Sequence, residues 1–491
     1  MSPSMTNDIN ADALKRWAEQ HGQASDSTSG MRLLSDGLDA FEVRAHLARY
    51  AQDSIDSLSY LLEDGVTTRV LMAELLLAAE RGVKIRMLVD DMSAIGVQGM
   101  LRAMQTHPNI EVRLFNPVTF WRRYTWSHRL AMALTIRRSH RRMHNKLWLV
   151  DGVVGIAGGR NLGDDYFITN SEYNFADLDM LVADGPVAAQ MRECFSQYWH
   201  GHCVSTLTSL ISETPDHDWQ DLREELRQQL SGEELADSAF LSIHHGEQRA
   251  LEEGLGELVQ AHGELYWDHP DKPCQPGYPS RDLIMGPAIG AMVADTQTRI
   301  KIVSAYFIPS ERDVIDIEAL LERGVDVTVL TNSLQASDTP IVNGSYSPWR
   351  RRFLEKGAHM HELRHGHKPR HRRRRHHFGI MASSLHGKAM VMDDRRLFIG
   401  SFNIDPRSTW WNNEMGLNVD HEGLASELDE VIERALRPDS SFRVELDDQG
   451  QLSWVTVDED NQAQRLTKEP GNLLVRAQKW LGSLPGIRRL L

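Results

Sequence analysis

The chain carries one pattern twice, and the fixed spacing between the copies limits its possible folds more than any other feature. His144-Asn-Lys-Leu-Trp-Leu-Val-Asp151 and His386-Gly-Lys-Ala-Met-Val-Met-Asp393 place their histidines 242 residues apart. The same offset relates Gly158 to Gly400, Asn161 to Asn403, and Glu80-Arg-Gly-Val83 to Glu322-Arg-Gly-Val325. An offset kept from Glu80 to Asn161 implies a duplicated unit rather than two chance motifs. The expected organisation is a polar segment over 1–32, a first lobe over 33–200, an inserted connection over 201–284, a second lobe over 285–436 and a C-terminal extension over 437–491.

Within each copy the pattern alternates helix and strand. Leu71 to Glu80 is apolar on a helical period, and Gly82 stands where a helix C-terminal glycine belongs. Val83-Lys-Ile-Arg-Met-Leu-Val89 then reads as a strand. Ile317 to Glu322, Gly324 and Val325 to Leu330 repeat the sequence of elements. This alternation predicts an α/β fold of two related lobes, each a parallel or mixed sheet with helices on both faces. Between the lobes, Glu213 to Gly263 reads as helical and Pro270 to Pro279 as a loop.

The motif spacing has a chemical meaning. Residues two apart on a strand share a face, so His144 projects with Lys146 and His386 with Lys388. Asp151 and Asp393 fall on the other parity, and Asp151-Gly152 is a hairpin signal, which reads as structural. After each turn a short apolar strand ends in glycine and asparagine, Gly158-Gly-Arg-Asn161 and Gly400-Ser-Phe-Asn403. Glycine admits a close ligand, and Asn161, Asn403 and Ser401 offer donors to an anion. A lone strand histidine is usually a satisfied buried group, and a lone lysine usually snorkels to water. Two full copies packed about a pseudo-two-fold axis put two imidazoles and two ammoniums in one pocket. That set suits a phosphate, with one imidazole attacking phosphorus and the other moving a proton.

Composition narrows the classes further. The 491 residues are 41% hydrophobic and 25% charged, a globular balance, and a net charge of -15 speaks against a nucleic-acid partner. Cys194, Cys203 and Cys274 show no paired spacing, which predicts no disulfide framework and a reducing compartment. His200, His202 and Cys203 lack a second pair of ligands, so no metal site is expected. Met1 to Gly30 has no basic start followed by an apolar stretch, so no signal peptide is expected, and no apolar run reaches membrane-spanning length. Aromatic and basic residues gather at Phe120-Trp-Arg-Arg-Tyr-Thr-Trp-Ser-His-Arg129, before the first motif, and basic ones at Arg364 to His377, before the second. Both are expected to dock on an anionic membrane surface. Leu473 to Leu491, broken by Pro485, reads as an amphipathic tail.

The paired HxKxxxxD motifs with trailing GxxN resemble those of the phospholipase D superfamily. Ser35-Asp-Gly-Leu-Asp39, Phe175-Ala-Asp-Leu-Asp179 and Gly400-Ser-Phe-Asn-Ile-Asp-Pro-Arg-Ser408 are similar to segments of the bacterial cardiolipin synthases of the C type, within a likeness running from about Leu33 to Asn418. The resemblance implies two phospholipase D-like α/β/α sandwich lobes with one active site at their interface. It implies phosphatidyl transfer from phosphatidylethanolamine or phosphatidylglycerol to phosphatidylglycerol through a phosphohistidine. His144 would be the nucleophile and His386 the general acid and base, with no metal or other cofactor. It counts Lys146, Lys388, Asp151 and Asp393 in the catalytic set, and it implies an orienting carboxylate for each histidine: Glu414 for His386, and Asp177, or Asp179 at the same parity, for His144. Partners would be phospholipids at an anionic membrane surface, bound peripherally on its cytoplasmic face, with no nucleic acid. Hydrolytic phospholipase D action and nucleic-acid phosphodiester cleavage are the alternatives that the same chemistry permits. One departure is Ser59-Tyr-Leu-Leu62, which lacks the tryptophan the family often shows there; Ala305-Tyr-Phe-Ile-Pro309 in the second copy is typical.

Overall fold

The computed structural model describes residues 12–22, 25–122, 124–167, 174–211, 217–230, 251–365, 384–458 and 460–482. The first half contributes β1 (Ser29–Leu34), β2 (Ser54–Ser59), β3 (Lys84–Asp90), β4 (Ile110–Phe115), β5 (Leu147–Val150), β6 (Val154–Gly158), β7 (Phe175–Ala176), β8 (Asp179–Ala183) and β9 (Val204–Thr206). Strands β2, β3 and β4 are parallel, because the helices Val66–Glu80 and Asp91–Met104 carry the chain back across the sheet between them. From β2 the sheet runs antiparallel through β5, β6, β8 and β1. Strand β9 closes the far edge on β4.

The second half repeats the plan after a connecting strand, β10 (Val259–Trp267). Its strands are β11 (Arg299–Ser304), β12 (Asp326–Asn332), β13 (His359–Leu363), β14 (Ser384–Leu385), β15 (Lys388–Met392), β16 (Arg396–Gly400) and β17 (Met415–Asp420). Strands β11 to β13 are parallel, and β11 then continues antiparallel through β15, β16 and β17. The helix stops expected from sequence are present. Gly82 and Gly324 have φ of 104° and 82°, and the next N–H in each case, of Val83 and Val325, returns to the carbonyl of Ala78 and Leu320.

Helices cover the outer face of each sheet and build a separate core there. A third core is shared between the lobes: Leu58, Leu147 and Leu149 of the first sheet meet Val303, Val391 and Ile399 of the second, with the helices Gly185–Trp199 and Glu422–Leu436 packed in. This is the expected pair of α/β/α lobes, and the shared core fixes them against each other.

The connection between the lobes differs from the sequence reading. Trp219–Leu230 is helical and buries Leu222, Leu226 and Leu230. From Val259, however, the chain is a strand, because two sheet edges need a partner there. Val259–Ala261 pairs with β1 and His262–Trp267 with β17, so β10 stitches the two sheets together. The cysteine reading also changes. Cys203 and Cys274, with Cα atoms 6.5 Å apart, are joined in a disulfide across 71 residues. The turns carrying them are brought together as His202 meets Asp271. The inference of a reducing compartment loses its premise, and Cys203 is not free to hold a metal. Beyond the second lobe, β18 (Ser441–Leu446), β19 (Leu452–Val457) and β20 (Ala463–Leu466) extend the second sheet outward from β13. The helix Leu473–Gly482 is tethered through Lys479 to Glu469, which also pairs with Arg350. Among the described residues no helix is long and apolar enough to cross a membrane.

Candidate active site

The two motif histidines meet at the seam of the lobes, with ring centroids 6.3 Å apart. Backbone pairing across the seam puts them there. The His144 N–H donates to the Asn413 carbonyl at 2.8 Å, and Asn413 N–H returns to Arg142. On the other side β7 pairs with β14, and the N–H groups of His386 and Gly387 both reach the Ala176 carbonyl, at 2.9 and 2.7 Å. Each motif is thus docked on a segment of the opposite lobe.

That docking overturns the expected carboxylate assignment. Glu414 follows Asn413, so its Oε2 lies 2.8 Å from Nδ1 of His144, not beside His386. Asp177 follows Ala176, so its Oδ2 lies 2.6 Å from Nδ1 of His386, not beside His144. The pairs are crossed between lobes. Asp179 is engaged elsewhere, by Arg44 at 2.8 Å and Arg160 at 3.2 Å. With each Nδ1 on a carboxylate, Nε2 is the nitrogen left for chemistry.

A second layer holds the carboxylates in place. Glu414 Oε1 accepts from Ser408 at 3.0 Å, and its Oε2 accepts from Ser401. Ser401 was expected to bind substrate. It is fully buried, and its hydroxyl is committed to Glu414, because the close approach of β16 to β17 leaves it facing inward. The Glu414 N–H donates to Asp268, whose carboxylate is paired with the buried Lys272 at 2.8 Å. Beneath Asp177 there is no room for a side chain: a Cβ on Gly159 would lie 2.0 Å from Asp177 Oδ1. Gly159 is therefore needed for close approach.

Asp151 and Asp393 sit away from the reacting groups, against the catalytic role that the resemblance implies. Asp151 closes the β5–β6 turn at φ 51°, followed by Gly152 at 67°, and its carboxylate accepts the N–H groups of Gln52, Asp53 and Ser54. Asp393 does the same at φ 52° for Gln297 and Thr298. Positive φ at both central positions is the hairpin geometry that matches strand twist. These aspartates clamp each motif hairpin to the strand beside it, β2 or β11.

Each lysine bonds the backbone of its own motif histidine, and each asparagine bonds a tyrosine. Lys146 Nζ donates to the His144 carbonyl at 2.7 Å, and Lys388 makes the same bond to His386. Asn161 donates to the Tyr166 hydroxyl at 2.7 Å while its buried Oδ1 has no hydrogen-bond partner among the described residues, and Asn403 accepts from the Tyr306 N–H at 3.3 Å. Among the described residues, aromatic side chains stand against both imidazoles. Tyr60 meets the His144 ring at 4.7 Å, while Tyr166 and Phe175 meet His386 at 5.1 and 5.2 Å. Tyr60 lies in the stretch that departs from the family pattern, so an aromatic group still stands at that wall. Tyr166 and Phe175 carry no periodic signal that marks them in the sequence.

Comparison with known proteins identifies the family. The family described as "Cardiolipin synthase, PLD-like domain" matches residues 45–199 and 289–436. Cardiolipin synthase C of Escherichia coli is 35% identical over 90% of this chain and 91% of its own length. The chain belongs to this family. Cardiolipin synthase A of Yersinia pseudotuberculosis is more distant, 22% identical over 82% of this chain and 68% of its own. Phosphatidylserine synthase of Haemophilus influenzae shares the fold, with a TM-score of 0.58 at 15% identity, covering 87% of this chain and 91% of that structure.

In this cardiolipin synthase-family site, burial dominates the electrostatics. It pushes the His144 imidazole down to about 4 and that of His386 to about 3, with the lysines adding to the effect. Burial also holds Lys146 well below its ordinary value and lowers Lys388. Burial works against the Asp177 carboxylate, yet His386 and Lys388 bring it down to about 2. Glu414 is likewise lowered, by His144 against its own burial. Each pair is therefore a neutral imidazole donating Nδ1–H to an ionised carboxylate.

Proposed function

We propose that the protein is a cardiolipin synthase that transfers a phosphatidyl group through a phosphohistidine. The observation that supports this most is the facing pair of histidines, each with Nδ1 held by a carboxylate and a lysine beside it, in a chain of this family. In the first step Nε2 of His144 attacks phosphorus. The bond from phosphorus to the headgroup oxygen breaks, and His386, which takes up a proton on Nε2 when the phosphate anion binds, gives that oxygen this proton. In the second step His386 takes the proton of the glycerol hydroxyl of phosphatidylglycerol. The freed oxygen attacks phosphorus and His144 leaves. Lys146, Lys388, Asn161 and Asn403 would hold the phosphoryl oxygens as charge develops on them. Phosphatidylethanolamine is the donor that the C-type likeness favours.

The lipid would be met at a membrane surface, bound peripherally. Phe120, Trp121, Tyr124, Trp126, Leu130 and Leu134 are exposed, Trp126 at 69% and Leu134 at 65%. Phe120, Trp121 and Tyr124 precede the helices Thr125–Leu134 and Ile136–Ser139, and with the groups on these helices, Arg129, Arg137 and Arg138 among them, they form an arm before the first motif. Apolar and aromatic groups beside cations suit an anionic interface. A buried cluster supports the arm from below: Asp91 pairs with Arg122 at 2.6 Å and His128 at 3.2 Å. Most of the second basic stretch, and the tail beyond Gly482, lie outside the described residues.

The test is product analysis with vesicles of labelled phosphatidylglycerol, with and without phosphatidylethanolamine, and with and without a chelator. Cardiolipin formed by the wild type and lost in His144→Ala and in His386→Ala is the expected result. Dependence on phosphatidylethanolamine would name the donor. Phosphatidic acid alone would replace transfer with hydrolysis, and full activity in either alanine variant would defeat the shared site.

A further inference from the structure

The second lobe holds a feature that the transfer chemistry does not use. The helices Gly286–Ala294 and Glu311–Glu322 do not close fully on the outer face of their sheet, and a cavity of 520 Å³ lies beneath them. That is the volume of a ligand pocket rather than of a packing defect. Its walls include Ile289, Val293, Ile302, Ile317 and Met390. Arg281 and Arg312, both exposed, line it too, together with Asp313 and Asp316, the latter paired with Arg312 at 3.0 Å.

Three chain segments that line the cavity also carry residues of the catalytic centre. Side chains two apart on a strand share a face, so Met390 in the cavity wall is the next residue along from Lys388 on that face of β15. Asn403 is flanked by Phe402 and Ile404, and both line the cavity. Trp410 lines it as well, from the short helix Pro406–Trp410 whose Ser408 bonds Glu414. From Trp410 an aromatic path leads outward. Tyr278 meets Trp410 and Trp411 at 5.4 and 4.8 Å, and Trp411 meets His140 at 5.6 Å, at the base of the exposed arm.

We propose that this cavity receives one acyl chain of the phospholipid whose phosphate occupies the catalytic centre. A hydrocarbon chain asks for no hydrogen-bond partner and gains by leaving water for a wall of Ile, Val, Met and Phe. The identity of the lipid rests on the phosphatidyltransferase reading; the existence of an apolar-chain site does not.

Phosphatidylglycerol with a diazirine at the end of one acyl chain would be presented in vesicles to the full chain. After illumination, cross-links would be mapped by peptide mass spectrometry. The expected cross-links fall on Gly286–Ala294 and on the segments around Met390 and Phe402. They should drop at least tenfold in Gly290→Phe, where an added Cβ meets nothing nearer than Asp316 Oδ2 at 3.9 Å. Turnover of bis(4-nitrophenyl) phosphate, a diester without acyl chains, should be unchanged in that variant. If Gly290→Phe does not fold, the wild-type map decides alone. Cross-links confined to the exposed arm, or spread without preference, overturn the proposal. Cross-links in the cavity without any lipid product leave the cavity standing and remove the transferase reading. Cardiolipin formation without cavity cross-links does the reverse.

Discussion

Burial brings His144 and His386 down to pKa values of about 4 and 3, so both rings are neutral at pH 7. An arriving phosphate anion favours the charged imidazole and raises these values. Binding of inorganic phosphate or vanadate at pH 7 should therefore take up a proton. Calorimetric enthalpies in buffers of different ionisation heat should fall on a line of non-zero slope, and a flat line would contradict the scheme. The same depressed values bear on stability. Below pH 6.5 the unfolded chain binds protons that the folded rings refuse, so this contribution is lost as pH falls toward about 4. Asp90, Asp268 and Asp405, pushed up to about 6 by burial, act in the opposite sense. The readout is therefore the difference between wild type and His144→Gln/His386→Gln, which should narrow at pH 4.5. The crossed carboxylates give a further prediction. In thermodynamic cycles His144→Gln should couple to Glu414→Gln by about 0.5–3 kcal/mol, while His386→Gln with Glu414→Gln should add within about 0.5 kcal/mol. The sequence names Glu414 and Asp177 but not which histidine each serves. Spacing orders residues within a lobe, and these contacts are made between lobes.

At the scale of the element, the motif hairpins were legible because Asp-Gly and the strand period are local signals. The role of their aspartates follows from the turn. Asp151 accepts the N–H groups of Gln52, Asp53 and Ser54, where the chain enters the strand beside it, and adopts a positive φ that disfavours alanine. Asp151→Ala should destabilise the fold by about 1–3 kcal/mol, and Asp151→Asn by less. Both should retain kcat per folded molecule, as read by thermal unfolding alongside turnover; a large loss of kcat in stable Asp151→Asn would restore the catalytic reading. Strands β10 and β18 to β20 were not legible. Their partners are sheet edges distant in the chain, and such edges leave no trace in local periodicity. The Cys203–Cys274 pair escaped for the same reason.

For the whole molecule, duplication revealed the two lobes, and the aromatic arm before the first motif was visible as composition. What composition could not show is that the arm stays exposed while a buried Asp91–Arg122–His128 cluster fixes its root. If this surface meets the membrane, Trp121→Glu/Trp126→Glu should weaken flotation with anionic vesicles at least tenfold. Turnover of a soluble phosphodiester should stay unchanged; undiminished flotation would assign the contact elsewhere. The crossing of Glu414 to His144 and of Asp177 to His386 also has a consequence in time. A chain leaving the ribosome exposes its first motif long before Glu414 has been added. Until then His144 has no carboxylate, and Asp177 waits for a histidine not yet made. A half-finished or truncated chain therefore lacks both histidine–carboxylate pairs, and neither pair can close before the second lobe has folded onto the first.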